Sequence, residues 1–314
     1  MSHLADVLLP VFLVMGFGYL AAWRGLFAEP AIGSLMKFAQ TFAVPVLLAI
    51  QMARIDLRTG FHIDQLVAFY TGALLAYGIG MILSRTWLQR SPIDAAAIGF
   101  CCFFSNSVLI GIPIAERAYG QEGVLNSVPI IAVHSPLLFT IGILMMEAAR
   151  AKGAGLAQVG LNAAKGVLRT PMVIGILCGL VLNIGMMLTG QDLPKPVWAA
   201  LQMLGAAGVP VALFGLGGVL HRYKPEGDGR AIAMVVVCSL IVHPGVAYIL
   251  GKWVLHLQVG PLRAAVLTAA MAPGINAYLF ADMYGAAKRV AASSVLIATV
   301  ASLFTIWFWL AILP

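Results

Sequence analysis

Charge is what this 314-residue sequence has least of: 10% of its residues are Asp, Glu, Lys or Arg, whereas 61% are hydrophobic and the mean hydropathy is +0.96. A soluble chain of this size cannot hide so much apolar surface, which excludes that class. Cysteine is also scarce. Cys101, Cys102, Cys178 and Cys238 all lie in apolar runs without ligand spacing, which excludes a disulfide framework and a metal cluster and leaves them as small apolar residues. HExxH, GxSxG, a P-loop and paired intramembrane carboxylates are all missing, so the sequence gives no support to an intramembrane enzyme and implies no cofactor. Acidic residues are few enough to leave a net charge of +7, but the basic residues sit in short loops between apolar runs, which speaks for membrane topology and against nucleic acid. No short apolar segment with a small-residue cleavage site precedes the first run, so no removable signal peptide is expected.

What the sequence does contain is apolar runs of the ~20 residues a bilayer requires. They fall near 4–23, 31–53, 64–88, 94–119, 124–148, 168–188, 196–220, 231–251, 261–284 and 290–313, which predicts an all-α polytopic membrane protein of ten spans. One set of alternate loops takes Arg24, Lys37, Arg85, Arg90, Arg150, Lys152, Lys165, Arg169, Arg222, Lys224, Arg230, Lys288 and Arg289, 13 of the 19 basic residues. The other takes Arg54, Arg58, Arg117, Lys195, Lys252 and Arg263. The richer side is expected to be cytoplasmic, with both termini outside.

The fourth run carries its own interruption. Ser105, Asn106 and Ser107 put three polar side chains near mid-depth, and Gly111 and Pro113 weaken the backbone just beyond. Such a break survives in lipid only where protein or a water-filled cavity covers it. A shift of 165 residues lays Val44-Pro45-Val46 on Val209-Pro210-Val211 and Tyr119-Gly120 on Tyr284-Gly285. The same shift lays the fourth run on the ninth, where Ala272, Pro273, Gly274, Ile275 and Asn276 make a second break. Two repeats, 1–165 and 166–314, each of five spans and therefore inverted relative to one another, are the layout of secondary transporters. Pro45 and Pro210 read as kinks at packed interfaces, and Gly16, Gly18, Gly175, Gly179, Gly215, Gly217 and Gly218 as close-packing positions.

Where two unwound segments cross, half-helix N-termini present N–H groups with partial positive charge, a suitable place for a carboxylate. Asn106 and Asn276 add amide donors; Ser105, Ser107 and Tyr278 add hydroxyls. No Lys or Arg is expected at mid-depth. His134 is either a coupling residue or a neutral histidine bonded to a neighbouring helix, and His243, before Pro244, reads as structural. Glu116 and Asp282 lie toward the surface ends of the broken runs, where they are solvated, paired with Arg117 and Lys288, or gate residues.

The stretch Asn106-Ser107-Val108-Leu109-Ile110-Gly111-Ile112-Pro113, continuing to Tyr119-Gly120, resembles the Asn-Thr-Leu-Val-Met-Gly-Ile-Pro…Tyr-Gly segment of the auxin efflux carrier family. Gly274-Ile275, Phe280-Ala281 and Tyr284 are similar to its ninth-span segment. Bacterial members of that family are labelled malonate or organic-acid transporters. The resemblance implies an elevator-like carrier of small organic anions: spans one, two, six and seven form a scaffold that dimerises, the other six form a moving transport domain, and Asn106 contacts the substrate. Ser105 stands where plant carriers have proline, Pro273 is displaced by one position, and the long cytoplasmic loop of plant members is missing. The coupling ion, proton or sodium, is left open. The competing reading is a membrane-embedded sensor that binds a ligand on the same fold without moving it.

Overall fold

A computed structural model describes residues 2–54, 62–150, 171–223, 226 and 228–314. The proposed boundary between repeats at 165 and the basic residues Arg58, Lys152, Lys165, Arg169 and Lys224 lie outside the described residues. The protein is all-helical, and among the described residues the one extended pairing is an isolated antiparallel bridge between Ser105 and Pro273. Eight described helices are long and apolar enough to cross a membrane.

In chain order the helices are α1 (Ser2–Trp23), α2 (Glu29–Arg54), α3 (Ile63–Thr86), α4 (Pro92–Phe103), α5 (107–119), α6 (121–150), α7 (Pro171–Thr189), α8 (Lys195–Leu220), α9 (Gly229–Val254), α10 (Val259–Ala269), α11 (Ile275–Tyr284) and α12 (Lys288–Ile312). α4 and α10 are too short to span, and nearly every residue along them is buried, as a helix that is apolar all round requires. They end at the predicted breaks, where α5 and α11 begin.

Proline shapes the longer helices in a regular way. π-helical turns at Ala39–Ala43, Ser107–Gly111 and Cys238–Val242 each end two residues before a proline, Pro45, Pro113 and Pro244 respectively. A proline has no N–H to donate, and one wide turn lets the chain continue instead of breaking. This corrects one expectation. Gly111 and Pro113 are not the breakers: the chain unwinds at 104–106 and runs helically through both. Gly120 (φ 63°) alone separates α5 from α6, and Gly285 (φ 66°) closes α11 before α12. The two Tyr-Gly pairs matched by the 165-residue offset thus both end a helix at a positive φ that glycine adopts without strain, though with different ψ, −154° at Gly120 and 22° at Gly285.

α1 packs on α8 and α2 on α7 through backbone-to-backbone contacts that only glycine permits. A Cβ on Gly18 would stand 1.9 Å from the Phe214 carbonyl oxygen, one on Gly217 1.9 Å from that of Met15, and one on Gly175 2.3 Å from that of Pro45. Gly208 also lies close to Ala43 and Val44, where a Cβ would stand 3.2 Å away, so the two matched Val-Pro kinks sit at one packed interface.

Polar contacts sort the connections into two faces. Arg90 pairs with Asp228 at 2.8 Å, Arg222 with Glu29 at 3.0 Å, and Arg150 reaches the Tyr284 carbonyl at 3.0 Å, all on the Lys/Arg-rich face. On the opposite face Gln65 donates to the Asn126 carbonyl at 2.8 Å, Arg263 to that of Pro314 at 2.6 Å, and Arg54 lies over the Trp198 ring.

Candidate functional site

The two unwound segments clasp each other. The Asn106 N–H donates to the Ala272 carbonyl at 2.8 Å and the Gly274 N–H to the Phe104 carbonyl at 3.2 Å, a two-bond antiparallel clip that satisfies backbone groups freed by the breaks. Gly274 lies directly against Asn106: a Cβ there would sit 3.5 Å away, in ordinary van der Waals contact. The Asn106 side-chain oxygen accepts the Leu109 N–H at 3.3 Å, so Asn106 is the N-cap of α5, while Gly274 is the N-cap of α11.

A cavity of about 30 Å³ lies against this clip, lined by Ser105, Asn106, Ser107, Gly274, Ile275 and Asn276 together with His134, Ser135, Phe104, Val108, Leu109, Gln40 and Met172. Among the described residues no formally charged side chain lines it. The first-turn N–H groups of Ile275 and Asn276 precede the first intrahelical bond of α11, Ala277 N–H to the Gly274 carbonyl at 2.9 Å. The Ser105 hydroxyl is buried and, among the described residues, has no hydrogen-bond partner. His134 is 1% exposed; its Nε2 donates to the Ser105 carbonyl at 3.1 Å, and its ring meets those of Phe104 and Phe69 edge-on. Below it Phe100 stacks on Phe280 at 3.9 Å, room that Gly142 provides by lacking a Cβ.

Most of the residues singled out in the sequence therefore meet at one cavity. Pro273 takes part through the bridge to Ser105. Tyr278 does not: its ring packs on Tyr223 at 4.9 Å, away from the cavity wall. Glu116 and Asp282 are exposed at the surface; Asp282 pairs with Lys288 at 2.8 Å, but Arg117 turns from Glu116 to the carbonyls of Asp6 and Val7 at 2.7 and 3.1 Å. His243 is buried and its Nε2 lies 3.2 Å from the Phe69 carbonyl, as a structural histidine would. Gln40, Ser135 and Met172 went unpredicted. The polar pair Gln40-Thr41 inside the second apolar run, close to Pro45, is the signal that marks the first of them.

A family model described as "Membrane transport protein" matches residues 3–310. The chain belongs to this family, that of the auxin efflux carriers. Across 98% of the chain and 94% of its relative it is 24% identical to the "Putative malonate transporter" of Rhizobium meliloti (strain 1021). It is 21% identical to the "Uncharacterized transporter YfdV" of Escherichia coli (strain K12), over 96% of the chain and 95% of that protein. The "Auxin efflux carrier component 8" of Arabidopsis thaliana is 22% identical over 94% of the chain and 93% of its own length. The protein is a membrane transporter of this family and not an enzyme.

Proposed function

We propose that this family member is a secondary carrier of a small carboxylate, bound where the N-termini of α5 and α11 meet. The observation that carries the proposal is the pairing of two helix N-termini with a buried Ser105 hydroxyl that, among the described residues, has no partner, in a cavity that none of their charged side chains lines. Dipoles and neutral donors hold an anion there without an ion pair that would resist release. Among relatives, one carries malonate in its printed name. At about 30 Å³ the cavity admits water and no organic acid, so loading requires the walls to part. Gln40 of α2 and Met172 of α7 form one wall, and residues of the two unwound segments, α5, α6 and α11 the other.

That division supports a scaffold of α1, α2, α7 and α8 against which the remaining helices move as a unit, exposing the site to each side in turn. Packing of α1 on α8 and of α2 on α7 is the exchange of partners that ten spans in two inverted repeats would produce. On this reading the protein forms a homodimer through the scaffold, whose apolar groove between α2, α7 and α8 measures about 430 Å³, and both termini lie outside the cytoplasm.

The test is the melting point of the purified protein against a panel of mono- and dicarboxylates, malonate and indole-3-acetate included, with and without sodium and across pH. A ligand that binds only the native state raises it by mass action. One acid is expected to raise it in the wild type and not in Asn106→Ala. The absence of a shift with any acid under every ion condition would overturn the carboxylate reading.

A further inference from the structure

A second cavity has no place in this scheme. A cleft of about 710 Å³, within the ~300–1,000 Å³ of ordinary ligand pockets, opens between α1 and α8 on one side and α12 on the other. Phe12, Met15 and Gly16 of α1, Leu220 of α8, and Leu296 and Phe304 of α12 line it. A Cβ on Gly16 would meet nothing within 4 Å, so the cleft is open to its wall. Polar side-chain atoms along it are few: the Thr299 hydroxyl donates to the Val295 carbonyl at 2.6 Å, and the other hydroxyl is that of Tyr19, whose ring stands edge-on to His221. Val300 and Phe304 at the rim are 60% and 66% exposed. All three helices are membrane-length and apolar, so at this depth the cleft faces hydrocarbon, and its walls are almost wholly apolar.

Charge then selects among lipids. The cleft runs toward the Lys/Arg-rich face, ending at Tyr19 and Leu220 beside the ends of α1 and α8. Arg24 follows α1 directly. Arg289 precedes Leu296 by seven residues, two turns nearer that face on the same stripe of α12. Both are exposed, and among the described residues neither is in an ion pair. The nearby Arg222 is committed to Glu29.

We infer that an anionic phospholipid of the surrounding bilayer binds here, with an acyl chain in the cleft and its phosphate between Arg24 and Arg289. Such a lipid joins α12 to the α1–α8 pair. The site is separate from the crossing of α4/α5 with α10/α11, and the inference holds or fails independently of what the protein transports.

The experiment compares phosphatidylglycerol with phosphatidylcholine of the same acyl chains on the full chain in detergent, read by native mass spectrometry and by melting point. Wild type is expected to retain phosphatidylglycerol several-fold better and to melt higher with it. Equal binding of the two lipids would overturn the anionic assignment. Gly16→Phe fills the cleft and should abolish retention of both; retention at the wild-type level would place the lipid elsewhere and overturn the site. Should Gly16→Phe fail to fold, Val300→Trp closes the opposite wall and carries the same two outcomes. Arg289→Gln should keep binding but lose the preference for phosphatidylglycerol, and a preserved preference would remove the phosphate from Arg289.

Discussion

His134 in α6 donates across 3.1 Å to the carbonyl of Ser105, so a buried ring pins the bend between α4 and α5 from outside the crossing. A carbonyl can only accept, which puts the proton on Nε2; Nδ1 is buried and, among the described residues, unpartnered. His134→Leu leaves the carbonyl without its donor at a cost of about 1–3 kcal/mol, and transport in proteoliposomes should fall with it. His134→Gln keeps an amide donor at that place and should retain transport with the wild-type pH profile. A flattened profile in His134→Gln would instead make the ring a proton carrier.

Asn106 has two separable duties. Its side-chain oxygen caps α5 through the Leu109 N–H, and its amide nitrogen is the donor proposed for the carboxylate. Asn106→Ser preserves a capping oxygen and removes the amide, whereas Asn106→Ala removes both. Transport is expected to collapse in both variants, but only Asn106→Ala should lose the roughly 0.5–2 kcal/mol of a lost cap in a melting assay. Full transport by Asn106→Ser would take the amide out of the site.

Both breaks were legible in the sequence because three consecutive polar residues, or Pro-Gly before an asparagine, have no other use in an apolar run. The Tyr-Gly pairs at 119–120 and 284–285 were legible as a repeat, and their shared positive φ explains why glycine occurs at both. Gln40, Ser135 and Met172 were not, since what brings them to the cavity is packing between segments far apart in the chain. Pro113 misled for a related reason. A proline ends a helix or merely widens it according to whether the preceding turn can take up an extra residue, and nothing local to Gly111-Ile112-Pro113 decides that.

Gly217 and Gly16 lie on the same packed pair of helices with opposite surroundings. A Cβ on Gly217 would collide with the Met15 backbone, whereas one on Gly16 meets open space. Gly217→Ala should therefore force α1 from α8 and destabilise by about 1–3 kcal/mol, while Gly16→Ala should leave the melting point unchanged or slightly raised. Equal melting points for the two variants would mean that α1 and α8 do not meet at this register.

Asp228 caps α9 and receives the Arg90 guanidinium at 2.8 Å, a hydrogen bond that holds its carboxyl below the ordinary carboxylate range. A lowered folded value contributes stability above the unfolded value and loses it as pH falls through the folded one. The wild type should thus melt above Arg90→Gln at neutral pH, by the equivalent of about 1 kcal/mol or less for so exposed a pair. The gap should close as the pH drops below ~4. A gap that persists in acid would assign the effect to packing of the Arg90 side chain.

On the face opposite the Lys/Arg-rich one, polar contacts cluster around Gly120. Arg117, three residues before it, bonds the Asp6 and Val7 carbonyls of α1, and Gln121, just after it, donates to the Gln51 side chain of α2 at 2.6 Å. These bonds join α5 and α6 to α1 and α2, and any movement that opens the cavity toward this face must break them. Losing about 1 kcal/mol of such contacts shifts a two-state equilibrium about fivefold. With the exposed Cys178 replaced by serine and Cys101, Cys102 and Cys238 buried, a cysteine introduced at Ser107 reports access to the site. Arg117→Ala should raise its labelling rate by an impermeant thiol reagent added from this face by about that factor, and Gln51→Ala, which removes one neutral bond, by less. Unchanged labelling in both variants would show that closure of this face resides in the apolar packing of α5 against α1 and not in the polar contacts.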